Sequence, residues 1–376
     1  MSNTNSPPPL NIPASTATVT ISAIDTTTLL DSNTASLTWN PPIKGFDRAV
    51  AGSWSFLIEH HASGRKLLYD LGLRTDWEKL PPALGLQALM DQGVVNELKA
   101  TKGVAEILTE GGVRLEEVEA VIWSHWHFDH TGDMSTFPST TRLIVGPHFK
   151  QQLLPGYPSD LNGVVMESDF HGREIDELDF THPTAIRVGR FKALDYFGDG
   201  SFYILDAPGH AIGHVHALAR THASPDAAFV HLAADSIHHV GEIRPSEYLP
   251  LPDPIVPSPV PTVHPFSCPG HFFSAILREG SRKKPILEGQ DPFKELGGDS
   301  RLSLIYDEPA LRDTIEKDEE FDAHEAVFTV IAHDWSLKGV IDEWPKPLNA
   351  WREQGWKEKG TWKFLEDFEA AGVHES

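Results

Sequence analysis

The chain has 376 residues, 40% of them hydrophobic and 23% charged, and a formal net charge of −23. That is ample apolar material for a buried core, while the acidic field repels phosphate backbones and acidic membrane surfaces. Nucleic acid and membrane are therefore excluded as expected partners, a small-molecule substrate is expected, and the lone cysteine, Cys268, excludes an intrachain disulfide and a thiolate zinc cluster.

Residues 1–17 are polar and punctuated by proline, which predicts a disordered tail. The remainder, 18–376, reads as one domain with a proline-rich insertion at about 241–300. Met1 to Asn11 lacks the basic start and apolar core of a secretory leader, and no apolar run reaches the ~18 residues of a membrane span. A cytoplasmic protein is expected.

Residues 19–24 alternate as a strand does, and 36–39 offers a second, ended by Pro41-Pro42. Residues 54–59 and 66–70 read as paired strands around the turn at Ala62-Ser63-Gly64. Between about 83 and 110 the apolar spacing turns helical, through Val94, Val95, Leu98, Val104, Ile107 and Leu108. Strands are expected at 118–123 and 142–145, with Pro147 suited to the first turn of a helix running to Leu154. Strands at 202–205, 215–219 and 229–233 follow, the first leading into Ala207-Pro208-Gly209-His210. Eight prolines between Leu249 and Pro269 rule out a regular helix or central strand there. Residues 313–321 read as a helix, and 326–331 as a strand that ends near His333. Trp344, Trp351, Trp356 and Trp362 suggest a terminal helix packing its aromatics on the body.

The hexapeptide His125-Trp126-His127-Phe128-Asp129-His130 holds four metal-type ligands directly after an apolar strand. In extended backbone His125, His127 and Asp129 project to one side and Trp126 and Phe128 to the other, and His130 joins them as the chain turns. In a helix, positions 125 and 127 would diverge by about 200°, so this is not the helical His-Glu-x-x-His zinc site. Asp70, His210, Asp235 and His333 also follow predicted strands. With one thiol in the chain, any metal must be held by nitrogen and oxygen.

In this order the residues resemble the signature of the metallo-β-lactamase superfamily: His-x-His-x-Asp-His at a strand end, then a Pro-Gly-His turn, a strand-end aspartate and a C-terminal histidine. Asp70-Leu71-Gly72 resembles that family's early Asp-x-Gly turn, and the likeness runs from about 50 to 335. It implies an α/β (α+β) fold, the αββα sandwich of two mixed sheets flanked by helices, with a dinuclear metal site at one edge. It also implies that His125, His127 and His210 hold one metal and Asp129, His130 and His333 the other, with Asp235 bridging. Zinc suits this donor set, and manganese or iron would be tolerated. Flavodiiron relatives carry glutamate at the position of His127, which argues against redox chemistry. Asp235 stands where some lactamases have cysteine, so the chain is more similar to the lactonase and thioesterase branches.

The resemblance implies hydrolysis by a metal-activated water, with Asp129 as ligand, water orienter and proton carrier. In the similar lactonases a tyrosine three residues beyond the bridging aspartate contacts the substrate carbonyl. Here that residue is His238, a second catalytic candidate able to donate to an oxyanion or a leaving nitrogen. The expected activity is opening of a small cyclic ester or amide, a lactone or lactam. The insertion and tail are similar to those of fungal members, some of which act on benzoxazolinone-type compounds. The alternative is a thioesterase of the glyoxalase II or polyketide-releasing type, while the acidic charge disfavours a phosphodiesterase. The oligomeric state is open, a homodimer included. The proline-rich stretch either walls the pocket, with His264, Phe266, His271, Phe272 or Phe273 lining it, or is a simple surface loop, and the same two readings apply to residues 242–248, which would otherwise approach the cleft. Asp70 and His214 read as orienting groups, His216 as a packed side chain, Asp334 as a capping carboxylate and Cys268 as a buried thiol.

Overall fold

A computed structural model describes residues 5–295 and 303–372. Period-two alternation builds its two main sheets. The first contains β1 (Val19–Asp25), β2 (Trp54–His60), β3 (Lys66–Tyr69), β4 (Val118–Ile122), β5 (Arg142–Val145) and β6 (Ile175–Glu177), side by side in chain order. Pairing is antiparallel from β1 to β3 and parallel from β3 to β6. The second contains β7 (Ile186–Val188), β8 (Phe191–Asp195), β9 (Phe202–Asp206), β10 (Val215–His222), β11 (Ala228–Ala234) and β12 (Val327–Ile331). It is antiparallel except for the parallel β11–β12 pair.

Alternate residues of each strand serve different cores. Ile21, Phe56, Leu67, Tyr69 and Ile122 of the first sheet meet Ile204, Val215, Ala217, Val230 and Phe328 of the second. The intervening Leu57, Leu68, Val121 and Leu143 face outward, under the helices Val104–Glu110 and Phe149–Leu153. On the far side Tyr203, Leu205, Leu218 and Phe229 pack toward Phe321 of the helix Glu308–Ala323. Helices cover the outer face of each sheet, so the layering is the αββα sandwich. Among the described residues no helix is long and apolar enough to cross a membrane.

Four local readings are corrected. Val95–Lys99, expected as helix, is a strand of a third sheet in which Leu29–Ser32 runs between Ala49–Ala51 and Val95–Lys99. The turn at Gly93, with φ of 68°, ends the preceding helix Leu86–Asp91, and the open edge of Leu29–Ser32 captures the next segment. A three-residue apolar spacing suits either outcome, and pairing decides. Residues 36–39 are mostly the helical turn Ala35–Thr38, closed by Thr38 N–H donating to Thr34 O at 2.8 Å, and only Trp39–Asn40 is extended. The four C-terminal tryptophans do not share one helix: Trp351 and Trp356 fill the inter-sheet core, and Trp362 packs with the insertion.

The tail is the fourth. Residues 1–4 lie outside the described residues, but from Leu10 onward the segment is fixed. Leu10 is buried beside Val188, Phe191 and Phe321. Arg220, fully buried over the Phe229 ring, needs carbonyl acceptors for its guanidinium. It finds Pro13 O at 2.6 Å and Gly200 O at 2.8 Å. That requirement is invisible in the polar composition of the tail.

Candidate metal centre

The strand ends of both sheets open onto one cleft. β3 ends at Tyr69, and Asp70 follows with φ of 59°, a conformation that costs a non-glycine residue energy. It turns the carboxylate under the ligand loop. Oδ1 accepts the Ser124 N–H at 2.7 Å, and Oδ2 accepts the Ser124 hydroxyl at 2.7 Å and faces His130 Nδ1 at 2.9 Å. After β4 the chain stays extended only as far as His127, and Phe128–Thr131 form one helical turn, with His130 N–H donating to His127 O at 3.0 Å. Asp129 and His130 are thus delivered by a turn rather than by strand alternation. Trp126 is buried in the outer core.

His210 arrives from the turn after β9. A side chain at Gly209 would meet Leu311 backbone at 2.2 Å, and its φ of 130° is open only to glycine. His210 Nδ1 donates to Leu304 O at 2.8 Å. Asp235 follows β11 through Ala234, whose φ is 42°, and its N–H donates to His214 Nε2 at 3.2 Å. His214 Nδ1 in turn donates to Ala207 O at 2.7 Å. His333 follows β12 and donates from Nδ1 to Gly52 O at 2.8 Å.

All seven expected ligands meet in this cleft. Donor atoms of His125, His127 and His210 lie within 4.8 Å of one another, as do those of Asp129, His130 and His333. His210 Nε2 is 3.2 Å from His125 Nε2 and 2.9 Å from His127 Nδ1. Asp235 Oδ2 sits between the two groups, 3.2 Å from His130 Nε2, 3.0 Å from His333 Nε2, and 4.0 Å from both His125 Nε2 and His210 Nε2. Asp129 Oδ2 is 3.6 Å from His333 Nε2 and 3.8 Å from His130 Nε2. His238, the other catalytic candidate, puts Nε2 3.5 Å from Asp235 Oδ2, with its ring stacked 6.0 Å from that of His333.

The residues fit a metal. Because the Nδ1–H of His210 is committed to a carbonyl, its Nε2 carries a lone pair, and that lone pair confronts two further imidazole nitrogens. Asp235 Oδ1 and His127 Nε2 are buried without a hydrogen-bond partner, an arrangement that costs free energy in a protein interior. Burial and the neighbouring histidines hold His125 and His210 well below the ordinary imidazole range, and burial takes His127 down to about 3. Neutral imidazole is the metal-binding form. Burial would lower His130 as well, but Asp235, Asp129 and Asp70 outweigh it and raise the group. Burial takes His238 to about 4.

Beside Asp129, Asp235 and His333 opens a cavity of about 130 Å³. Its wall is mostly apolar: Leu30, Trp39, Leu86, Leu89, Val95, Phe128, Phe293 and Leu304, with Ser32, Thr34 and Thr38 supplying hydroxyls. The described lining contains no Lys or Arg. The wall was not legible in the sequence, since much of it comes from the unforeseen third sheet. The expected lining by the proline-rich stretch is corrected. Phe266 is 88% exposed, Phe272 and Phe273 are buried in a separate cluster, and neither these nor His264 or His271 borders the cavity. The apolar side chains of that stretch have the C-terminal Trp362, Phe364 and Phe368 to cover instead. Of the 242–248 segment, Glu242 does reach the cleft, accepting Trp39 Nε1–H at 2.8 Å and the His238 N–H at 2.9 Å. Residues 296–300 of the expected insertion lie outside the described residues.

Residues 48–220 match the Metallo-beta-lactamase superfamily. The chain is 43% identical to Gamma-lactamase FDB1 of Fusarium pseudograminearum (strain CS3096) over 98% of its own length and 87% of that protein. It is 41% identical to Metallo-hydrolase mfmC of Annulohypoxylon moriforme, over 98% and 92%. Among solved structures, an N-acyl homoserine lactone hydrolase superposes with a TM-score of 0.53 at 14% identity, covering 89% of this chain and all of that one, a likeness of fold.

Proposed function

The chain belongs to the metallo-beta-lactamase superfamily of metal-dependent hydrolases, and from that premise we propose that it hydrolyses a small, uncharged cyclic lactam or lactone with two divalent ions, zinc by donor chemistry. The reading rests above all on the apolar cavity that opens on Asp129, Asp235 and His333 without a Lys or Arg in its described wall. A neutral ring compound loses little solvation on entering it, whereas a charged acyl-thiol conjugate would leave its charges unpaired. The gamma-lactamase relatives support the same direction.

In this reading His125, His127 and His210 would hold one ion and Asp129, His130 and His333 the other, with Asp235 a further donor between the two groups. When bound, the ions supply a water of lowered pKa and a polarised scissile carbonyl. Asp129 would orient the attacking water, accept its proton and pass it to the leaving nitrogen or oxygen. His238, neutral at pH 7 and bordering the cavity, donates an N–H to the developing oxyanion. Trp39, Phe128 and Phe293 favour a flat bicyclic substrate of the benzoxazolinone type, held by stacking and apolar contact.

A substrate panel tests this. The zinc-loaded enzyme should open benzoxazolinone or a simple γ-lactone with higher kcat/KM than it hydrolyses acyl-glutathione thioesters. Faster thioester hydrolysis would overturn the reading in favour of the thioesterase alternative.

A further inference from the structure

Behind the cleft, on the outer face of the second sheet, lies another cluster that the hydrolytic site does not use. His216 of β10 and His231 of β11 point away from the inter-sheet core, toward the helix Glu308–Ala323, and Asp318 of that helix points back at them. All three are fully buried. His216 Nδ1 is 3.2 Å from His231 Nε2 and 3.5 Å from Asp318 Oδ1, and His231 Nε2 is 4.0 Å from that same oxygen. We propose that His216, His231 and Asp318 form a third metal site, a structural one that takes a zinc-class divalent cation.

The spacing is that of a coordination triangle. Zinc bonds of about 2.0–2.1 Å to nitrogen and oxygen, arranged tetrahedrally, put donor atoms about 3.3–3.4 Å apart. The three separations here bracket that value, and resemble the 3.2 and 2.9 Å that separate the imidazole nitrogens of the cleft. The surroundings ask for a cation as well. Phe191 and Phe321 flank the imidazoles at ring distances of 5.5 and 4.8 Å, and the ammonium of the adjoining Lys317 is paired with Asp313 at 2.5 Å. Ser236 donates to Asp318 Oδ2 at 2.5 Å, but Oδ1, the oxygen aimed at the imidazoles, has no hydrogen-bond partner. Burial holds Asp318 well above the ordinary carboxylate range and both imidazoles below theirs, so ionised Asp318 is costly here on its own, and a cation between its Oδ1 and the two imidazoles removes that cost. With three protein donors, the fourth position falls to a buried water. Such an ion would clamp two strands of the second sheet to their covering helix. Lying in the sealed interior, it would exchange far more slowly than ions in the open cleft.

Crystals of the zinc-loaded wild-type protein, with anomalous maps on both sides of the zinc absorption edge, decide the matter without depending on any variant. A zinc peak between His216, His231 and Asp318 is expected, and its absence at full occupancy of the cleft overturns the site. In solution, elemental analysis after brief chelation should find about one equivalent of zinc per chain retained by the wild type and none by Asp318→Asn or His231→Gln. Retention by both variants would place the slow ion elsewhere and also overturn the proposal. A variant that fails to fold leaves the crystallographic result to decide.

Discussion

At the scale of single residues, side chains that face the substrate differ from those that hold others in place. Asp129 borders the cavity and lies 3.6 Å from His333, so it is asked both to bind metal and to move a proton. Asp129→Ala should lower kcat by at least about 10²-fold, the low end of what one positioned acid–base group contributes, with an unchanged circular dichroism spectrum. Asp70 touches no substrate. Its carboxylate fixes Ser124 and the Nδ1 side of His130, which orients the ring and makes it a better donor. Asp70→Asn should therefore weaken metal binding about 10–100-fold, read by competition with a chromophoric chelator. Wild-type affinity in that variant would show that the loop holds its geometry unaided.

Individual elements carry the stability predictions, and they also show what could be read in advance. Arg244 and Asp322, both buried, form a two-pronged pair at 2.8 and 2.7 Å, and Arg244 also donates to Thr361 O at 3.0 Å. The pair ties the helix Glu308–Ala323 to the segment after Asp235 and to the C-terminal region. Arg244→Ala leaves a buried carboxylate unpaired and should cost about 3–5 kcal/mol, measured by urea denaturation. Asp169, under the turn that follows the ligand loop, accepts the Met134 N–H at 3.3 Å, and burial lifts its carboxyl to about 8. An acid raised in the folded state holds its proton there after the unfolded chain has released it, so its contribution to stability is full below about 4 and is lost as pH rises to about 8. Asp169→Asn should flatten the fall in Tm between pH 5 and pH 8, and an unchanged slope would assign the fall to other groups. The strands of both main sheets were largely legible, because alternation such as Val19 to Ile24 leaves one reading. The strand at Val95–Lys99 was not, because its spacing is ambiguous and its partner, Leu29–Ser32, lies far away in sequence. The ligand order was legible from residue types and from turns such as Pro208-Gly209-His210. The cavity wall was not, since it is assembled from segments near residues 30, 86, 95 and 293 that carry no motif. His216, read as a packed side chain, could not reveal its neighbours His231 and Asp318, which depend on the pairing of β10 with β11 and on the helix laid across them.

For the whole molecule, the division of labour is between an acidic exterior and a local site whose charge would be reversed by cations. The net charge of −23 repels polyanions, while the cleft joins buried imidazoles to carboxylates under an apolar roof. Such a design suits a small uncharged molecule that reaches the reacting centre without competing with the long-range field. The measurement that tests this most directly is metal withdrawal and return: hydrolysis of a γ-lactam or γ-lactone by the wild-type protein, before chelation, after chelation to verified loss of metal from the cleft, and after zinc is added back. Turnover should vanish in the second state and recover in the third. Full turnover by protein stripped of metal would contradict the account at its centre.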